Sequence, residues 1–266
     1  MNLISYEIKS SIKSSIIWTV AIIATFTFLM LGAFPTYSNA KQEIVSLLNN
    51  YPPQFLLAFG LNIEKLFSFE GFYNFSYGYI GLMGGIMAVA LSISTFGREK
   101  MYKATDFLLT KPMSRELIFI RKLLACLAII ISVNIVYIVA GIAVRSVSGD
   151  VSYSIGEYIL ILSGFLFLQL VFLAIGIIIA TLSKRIRSVA GTATAVGFTA
   201  FILSAISNIF EDKHIEYAAP LKYFEPIYII DKGIYEPKLI AAAVIVIALC
   251  CIISFFIYCR SDVPAS

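Results

Sequence analysis

"FYNFSYGYIGLMGGIMAVALSISTF", residues 72–96, contains no Asp, Glu, Lys, Arg or His. A helix rises about 1.5 Å per residue, so a run of this length crosses a hydrocarbon core roughly 30 Å thick. In lipid every backbone N–H and C=O must be bonded within the segment, which makes the run a helix. Five more charge-free runs flank it, at 16–34, 123–144, 158–182, 189–210 and 239–258. None shows the apolar/polar alternation of a barrel strand. The expectation is an all-α polytopic membrane protein, with six transmembrane helices in one domain spanning 1–266.

Composition agrees. Of 266 residues, 59% are hydrophobic and 14% charged, where a soluble domain carries about a quarter charged residues. Mean hydropathy is +0.90. The run 16–34 is longer than the roughly 7–15-residue core of a signal peptide, so it reads as a retained span.

Charge sets the orientation. With the N-terminus inside, segments 1–15, 97–122, 183–188 and 259–266 hold 13 basic residues in 55, and the outside segments hold 7 in 78. The positive-inside rule therefore places both termini in the cytoplasm. The formal net charge of +4 arises from this asymmetry and implies no nucleic-acid partner.

The polar segments have character of their own. In "MNLISYEIKSSIKSS", residues 1–15, Ile4, Ile8 and Ile12 repeat at helical spacing beside Leu3, with Glu7, Lys9 and Lys13 off the stripe. This predicts an amphipathic elbow helix lying in the interface before the first span. In the first outer loop, "YPPQFLLAFGLNIEKLF" at 51–67 is apolar but too short to span, so it lies on or dips into the outer leaflet. The second, 211–238, holds three prolines and four tyrosines, which suits a turn-rich segment with aromatics at headgroup level.

Motif chemistry is sparse. The chain has no G-x-x-x-x-G-K-[ST] loop, H-E-x-x-H, G-x-S-x-G or C-x-x-C, so no cofactor and no metal is expected in it. His214 stands without a ligand cluster, and Cys126, Cys250, Cys251 and Cys259 read as small packing residues. The spans hold only neutral polar groups, chiefly Asn134, Gln169 and Asn208. An ion- or proton-coupled relay places ionisable groups at that depth. Energy for uphill work would then arrive from another chain.

Small residues form two faces. Gly78, Gly81, Gly85, Ala88 and Ser92 recur at i+3 or i+4 in the second span, and Ala193, Gly197, Ala200, Ser204 and Ser207 in the fifth. Such stripes let backbones approach closely. They serve packing within one bundle, or a face shared with a second membrane subunit, or a substrate path. With Asn208, these positions are candidates for a pathway or dimer face, and Phe75, Tyr79, Phe198 and Phe201 on the same helices suit an amphipathic cargo.

The last signal is "GREKMYKATDFLLTKPMSRE", residues 97–116, with five basic and three acidic residues between two spans. Met101, Ala104, Phe107, Leu108 and Leu109 recur at helical spacing through it. Pro112 ends that helix by pushing Lys111 out of the α region. Ser114 then caps the next helix, with Glu116 in its first turn. An amphipathic helix here meets either headgroups or a protein groove.

Glu99, Thr105, Leu108, Leu109, Thr110, Pro112, Ser114, Arg115 and Lys122 match the loop pattern of ABC-2-type transporter permeases, with Ala104 where glycine is usual. Together with "YPPQFLLAFGLN" and the six-span plan, the chain resembles that family over nearly its whole length. The resemblance implies a coupling helix at 99–110, with Glu99, Met101, Lys103, Thr105, Asp106, Leu108, Leu109, Pro112 and Arg115 as its ATPase-facing residues. It implies a permease without enzymatic activity of its own, paired with an identical or homologous membrane subunit. Two cytosolic ABC ATPase subunits would bind ATP and magnesium. It further implies a bacterial plasma-membrane location and export of a peptide, antibiotic, lipid or other amphipathic compound. The alternatives are a self-contained secondary transporter or channel, and a non-transporting sensor or assembly subunit.

Overall fold

The computed structural model describes residues 3–98, 114–148, 154–183, 185–210 and 213–260. They are mostly helical, with no strand among them. Six helices are long and apolar enough to cross a membrane: α1 (Leu3–Asn39), α4 (Phe69–Phe96), α5 (Arg115–Ser148), α6 (Ile155–Leu182), α7 (Val189–Phe210) and α10 (Pro237–Arg260). Short helices fill the connections: α2 (Lys41–Leu48), α3 (Pro53–Ala58), α8 (Lys213–Ala218) and α9 (Pro226–Lys232). Each expected span lies within one long helix. The helices overrun the charge-free runs because a span ends where lipid ends, whereas a helix ends where a cap or breaker stops it.

The caps are visible. Ser68 accepts from the Gly71 amide at 3.1 Å ahead of α4. Ser154 and Glu157 form a reciprocal capping box at α6, and the expected Ser114 cap accepts from the Leu117 amide at 3.3 Å. Gly233 ends α9 in the left-handed region at φ +72°, where side chains other than glycine are strained.

One expectation needs correction. Among the described residues there is no separate elbow helix, because α1 runs unbroken from Leu3 to Asn39, through a π-helical stretch at Phe28–Ala33. No Gly or Pro interrupts residues 3–16. The buried stripe is also not the isoleucine one: Leu3, Glu7, Ser11 and Ser15 face inward, while Ile12 and Ile16 are exposed. Two hydroxyls of α1 bond along the helix itself. Ser15 donates to the Ser11 carbonyl at 3.0 Å and Thr19 to that of Ser15 at 2.7 Å.

Helices α4 and α6 are the centre, with most of their residues buried. Glycines bring them together. A side chain at Gly84 would overlap Phe165, and one at Gly176 would overlap Ser92. Helices α1 and α5 close the other side. There Phe26 contacts the rings of Tyr73 and Tyr137, and the two tyrosine hydroxyls bond at 3.0 Å. Deep in the bundle Asn134 donates to Gln169 at 2.6 Å. Helices α7 and α10 lie outermost and turn apolar faces outward, among them Phe198, Ile202, Ile245 and Phe256.

The first turns of α1 and the last turns of α10 lie at one end of the bundle. Tyr258 near the C-terminus meets Phe96 and Phe119, and Glu7 near the N-terminus meets Arg98. The connections on the opposite end are stitched together. Lys65 pairs with Asp231 at 2.7 Å, and Asn74 accepts from the Ile227 amide at 2.9 Å. Tyr223 is buried there and donates to the Tyr217 carbonyl at 2.5 Å. Tyr235 donates to the Leu160 carbonyl at 2.6 Å. Burial pushes its phenol up to about 12, so it remains a neutral donor. Tyr223 and Tyr235 thus seal the loop onto the bundle, while Tyr217 is exposed.

Candidate functional site

At the loop-stitched end, α4 and α7 splay apart beneath α3. Gly78 on α4 meets nothing where its side chain would be. With Ser204 and Asn208 of α7 it lines a cleft. Phe75, Tyr79 and Phe201 form the aromatic wall, at centroid separations of 5.4 and 6.1 Å. The space within is about 40 Å³, room for little more than one or two waters. Asn208 accepts from Lys222 at 2.7 Å, and the same ammonium holds Glu225 at 2.7 Å. Tyr77 is buried at the edge of the cleft, and its hydroxyl has no partner among the described residues.

The remaining candidates of the two small-residue faces are spent on packing inside the bundle. Gly81 faces Leu168 and Leu221, Gly85 faces Phe172, and Ser92 lies fully buried against Gly176. A side chain at Gly197 would overlap Ile86. Gly78, Ser204 and Asn208 are therefore brought together in the cleft, whereas Gly81, Gly85, Ser92 and Gly197 bring helices together.

At the opposite end, residues 99–113, which include the predicted coupling helix at 99–110, lie outside the described residues. Glu99, Met101, Lys103, Thr105, Asp106, Leu108, Leu109 and Pro112 are all among them. Arg115 is described and opens α5. The roots of the segment carry a buried charge cluster that sequence reasoning missed. Glu7 of α1 is 3% exposed. Its carboxylate lies 3.3 Å from the Arg98 guanidinium at the end of α4 and 3.9 Å from the Lys122 ammonium of α5. Lys122 is 1% exposed and donates to the Thr95 carbonyl at 2.7 Å. Arg98 also lies over the Tyr6 ring at 5.6 Å.

The charge-free runs hold only neutral polar groups, as read from the sequence, and the cluster lies just beyond them, where α1 and α5 extend past those runs. A signal was present. Leu3, Glu7, Ser11 and Ser15 form an i, i+4 stripe continuous with Ile22 and Phe26 of the span, and nothing between them breaks the helix.

The family comparison bears on both ends. The family of ABC-2 family transporter proteins matches residues 1–263. The chain belongs to the ABC-2 transporter family. No curated protein matches it. As an ABC-2 family member with six membrane helices, the chain is the membrane permease component of an ABC transporter. The match extends from the N-terminal turn of α1 to the end of α10. The buried cluster and the cleft therefore both lie within the family's own region.

Proposed function

We propose that this permease forms the translocation path of an exporter powered by a separate ATP-binding subunit. The carrying observation is the family match over residues 1–263, joined to a sequence without a phosphate-binding loop. In this reading residues 99–110 dock in a groove of the ATPase, two membrane subunits face each other, and two ATPases close on ATP with magnesium. Both termini are cytoplasmic, as the basic-residue asymmetry supports, in a plasma membrane of bacterial type.

The cleft between α4 and α7 supports an amphipathic cargo, because aromatic faces line one side and Asn208 and Ser204 the other. Its present volume holds no such molecule. Transport requires α4 and α7 to separate at this end, which loosens contacts such as that of Tyr79 with Phe201.

The test is purification of the chain from its native membrane in mild detergent. The expected result is a co-purifying soluble ATPase of about 25–35 kDa, the size of one or two domains, with ATP hydrolysis in the complex. Reversing charge at Lys103 together with Leu108→Asp should abolish that recovery and leave membrane insertion intact. Recovery of the chain alone and intact would overturn the reading.

A further inference from the structure

We propose that Glu7 is a positioning residue that clasps both roots of the 99–113 segment to the first membrane helix, so that a load on that segment moves α1. The inference rests on the permease reading above and deepens it. It names the element that receives the ATPase's work.

The geometry is a three-helix joint. Arg98 is the residue through which α4 hands the chain to the segment, and Lys122 lies two turns into α5, where the chain has returned. Both cations reach one carboxylate, at 3.3 and 3.9 Å, and that carboxylate belongs to a third helix. Lys122 also ties the two roots to each other through the Thr95 carbonyl in the last turn of α4. Its ammonium lies 5.9 Å from the Phe96 ring. Neither root can shift relative to α1 without opening a pair to the buried Glu7 carboxylate. Side-chain exposure is 4% for Glu7, 19% for Arg98 and 1% for Lys122.

Stability alone is a poor reason for such a cluster, since well-packed apolar residues of similar volume serve as well or better. What the ionic clasp adds is a preferred register. Apolar surfaces attract without direction and can slide. Separating buried ions leaves each uncompensated, so the three helix ends move as a unit. Helix α1 then carries the displacement onward, because it is continuous from Leu3 to Asn39 and packs along both α4 and α5.

The experiment uses the whole complex with its ATPase, in a background lacking the four native cysteines. Spin labels go on Ser14→Cys of α1 and Ser188→Cys before α7, both exposed. The label separation is measured without nucleotide and with ATP, magnesium and vanadate. In the unsubstituted complex nucleotide should change the separation by about 2 Å or more, the scale of helix shifts in switching proteins. Glu7→Gln should still recover the ATPase and hydrolyse ATP but lose that change, and Glu7→Asp, which keeps the charge, should restore it.

A nucleotide-driven change in Glu7→Gln equal to that of the parent overturns the joint, as does a parent complex in which nucleotide moves nothing at this pair. Absence of any ATPase from the parent complex overturns the permease reading instead. If Glu7→Gln fails to assemble, the exchange Glu7→Arg with Arg98→Glu decides. Recovery of assembly and of the change supports the clasp, and failure of either overturns it.

Discussion

The two ends of this bundle hold their loops by opposite means. At one, Lys65 and Asp231 meet at 2.7 Å with side chains 40% and 47% exposed. At the other, Glu7, Arg98 and Lys122 meet at longer distances but almost out of water. The shorter contact is the weaker one. Exposed pairs give up little hydration and gain little, whereas a buried cluster has no solvent to fall back on when one member is removed. The Lys65–Asp231 pair can open and reclose cheaply. The buried end is built to move as one piece.

That contrast can be broken or sharpened by substitution. The largest effect is expected from Glu7→Lys, which sets a third cation beside Arg98 and Lys122. The loss should reach about 3–5 kcal/mol or more and should be seen as failure of the protein to accumulate in the membrane. Normal accumulation would mean the cluster is open to water. Next comes Asn134→Ala, between the two ends. It removes the partner of Gln169 and should lower the unfolding midpoint in detergent by about 1 kcal/mol equivalent, the usual worth of an interhelical hydrogen bond in lipid.

Tyr77→Phe at the edge of the cleft should cost nothing. It should stabilise by up to about 1 kcal/mol, since it deletes a buried hydroxyl with no partner among the described residues. A clear destabilisation there would show that the hydroxyl is engaged by water or cargo. The smallest effect belongs to Lys65→Ala. A double-mutant cycle with Asp231→Ala should give a coupling below about 1 kcal/mol, weakening further as salt is raised.

Sequence reading succeeds here where a rule is local. Charge-free length marks all six spans, and Ser114 caps the helix that follows it. It falters at α1. The Ile4, Ile8 and Ile12 stripe suggests a helix lying in the interface. The preference is reversed by Arg98 and Lys122, which are distant in sequence and draw Glu7 inward. Tyr235 of the 211–238 loop follows the same pattern. Its amphipathic character points to headgroups, but it donates to the Leu160 carbonyl.

The small-residue faces show where local rules end. Spacing alone makes Gly78, Gly81, Gly85 and Gly197 equivalent. In the folded chain Gly81, Gly85 and Gly197 are closed by Leu168, Phe172 and Ile86, and Gly78 alone of the four opens on the cleft. The sequence by itself determined that the chain crosses a membrane as six helices, because lipid demands internal backbone bonding and tolerates few charges. Only the tertiary structure decided which polar groups turn inward and which glycines face space. Those outcomes depend on partners that helices bring from far along the chain, and no spacing within a single helix can specify them.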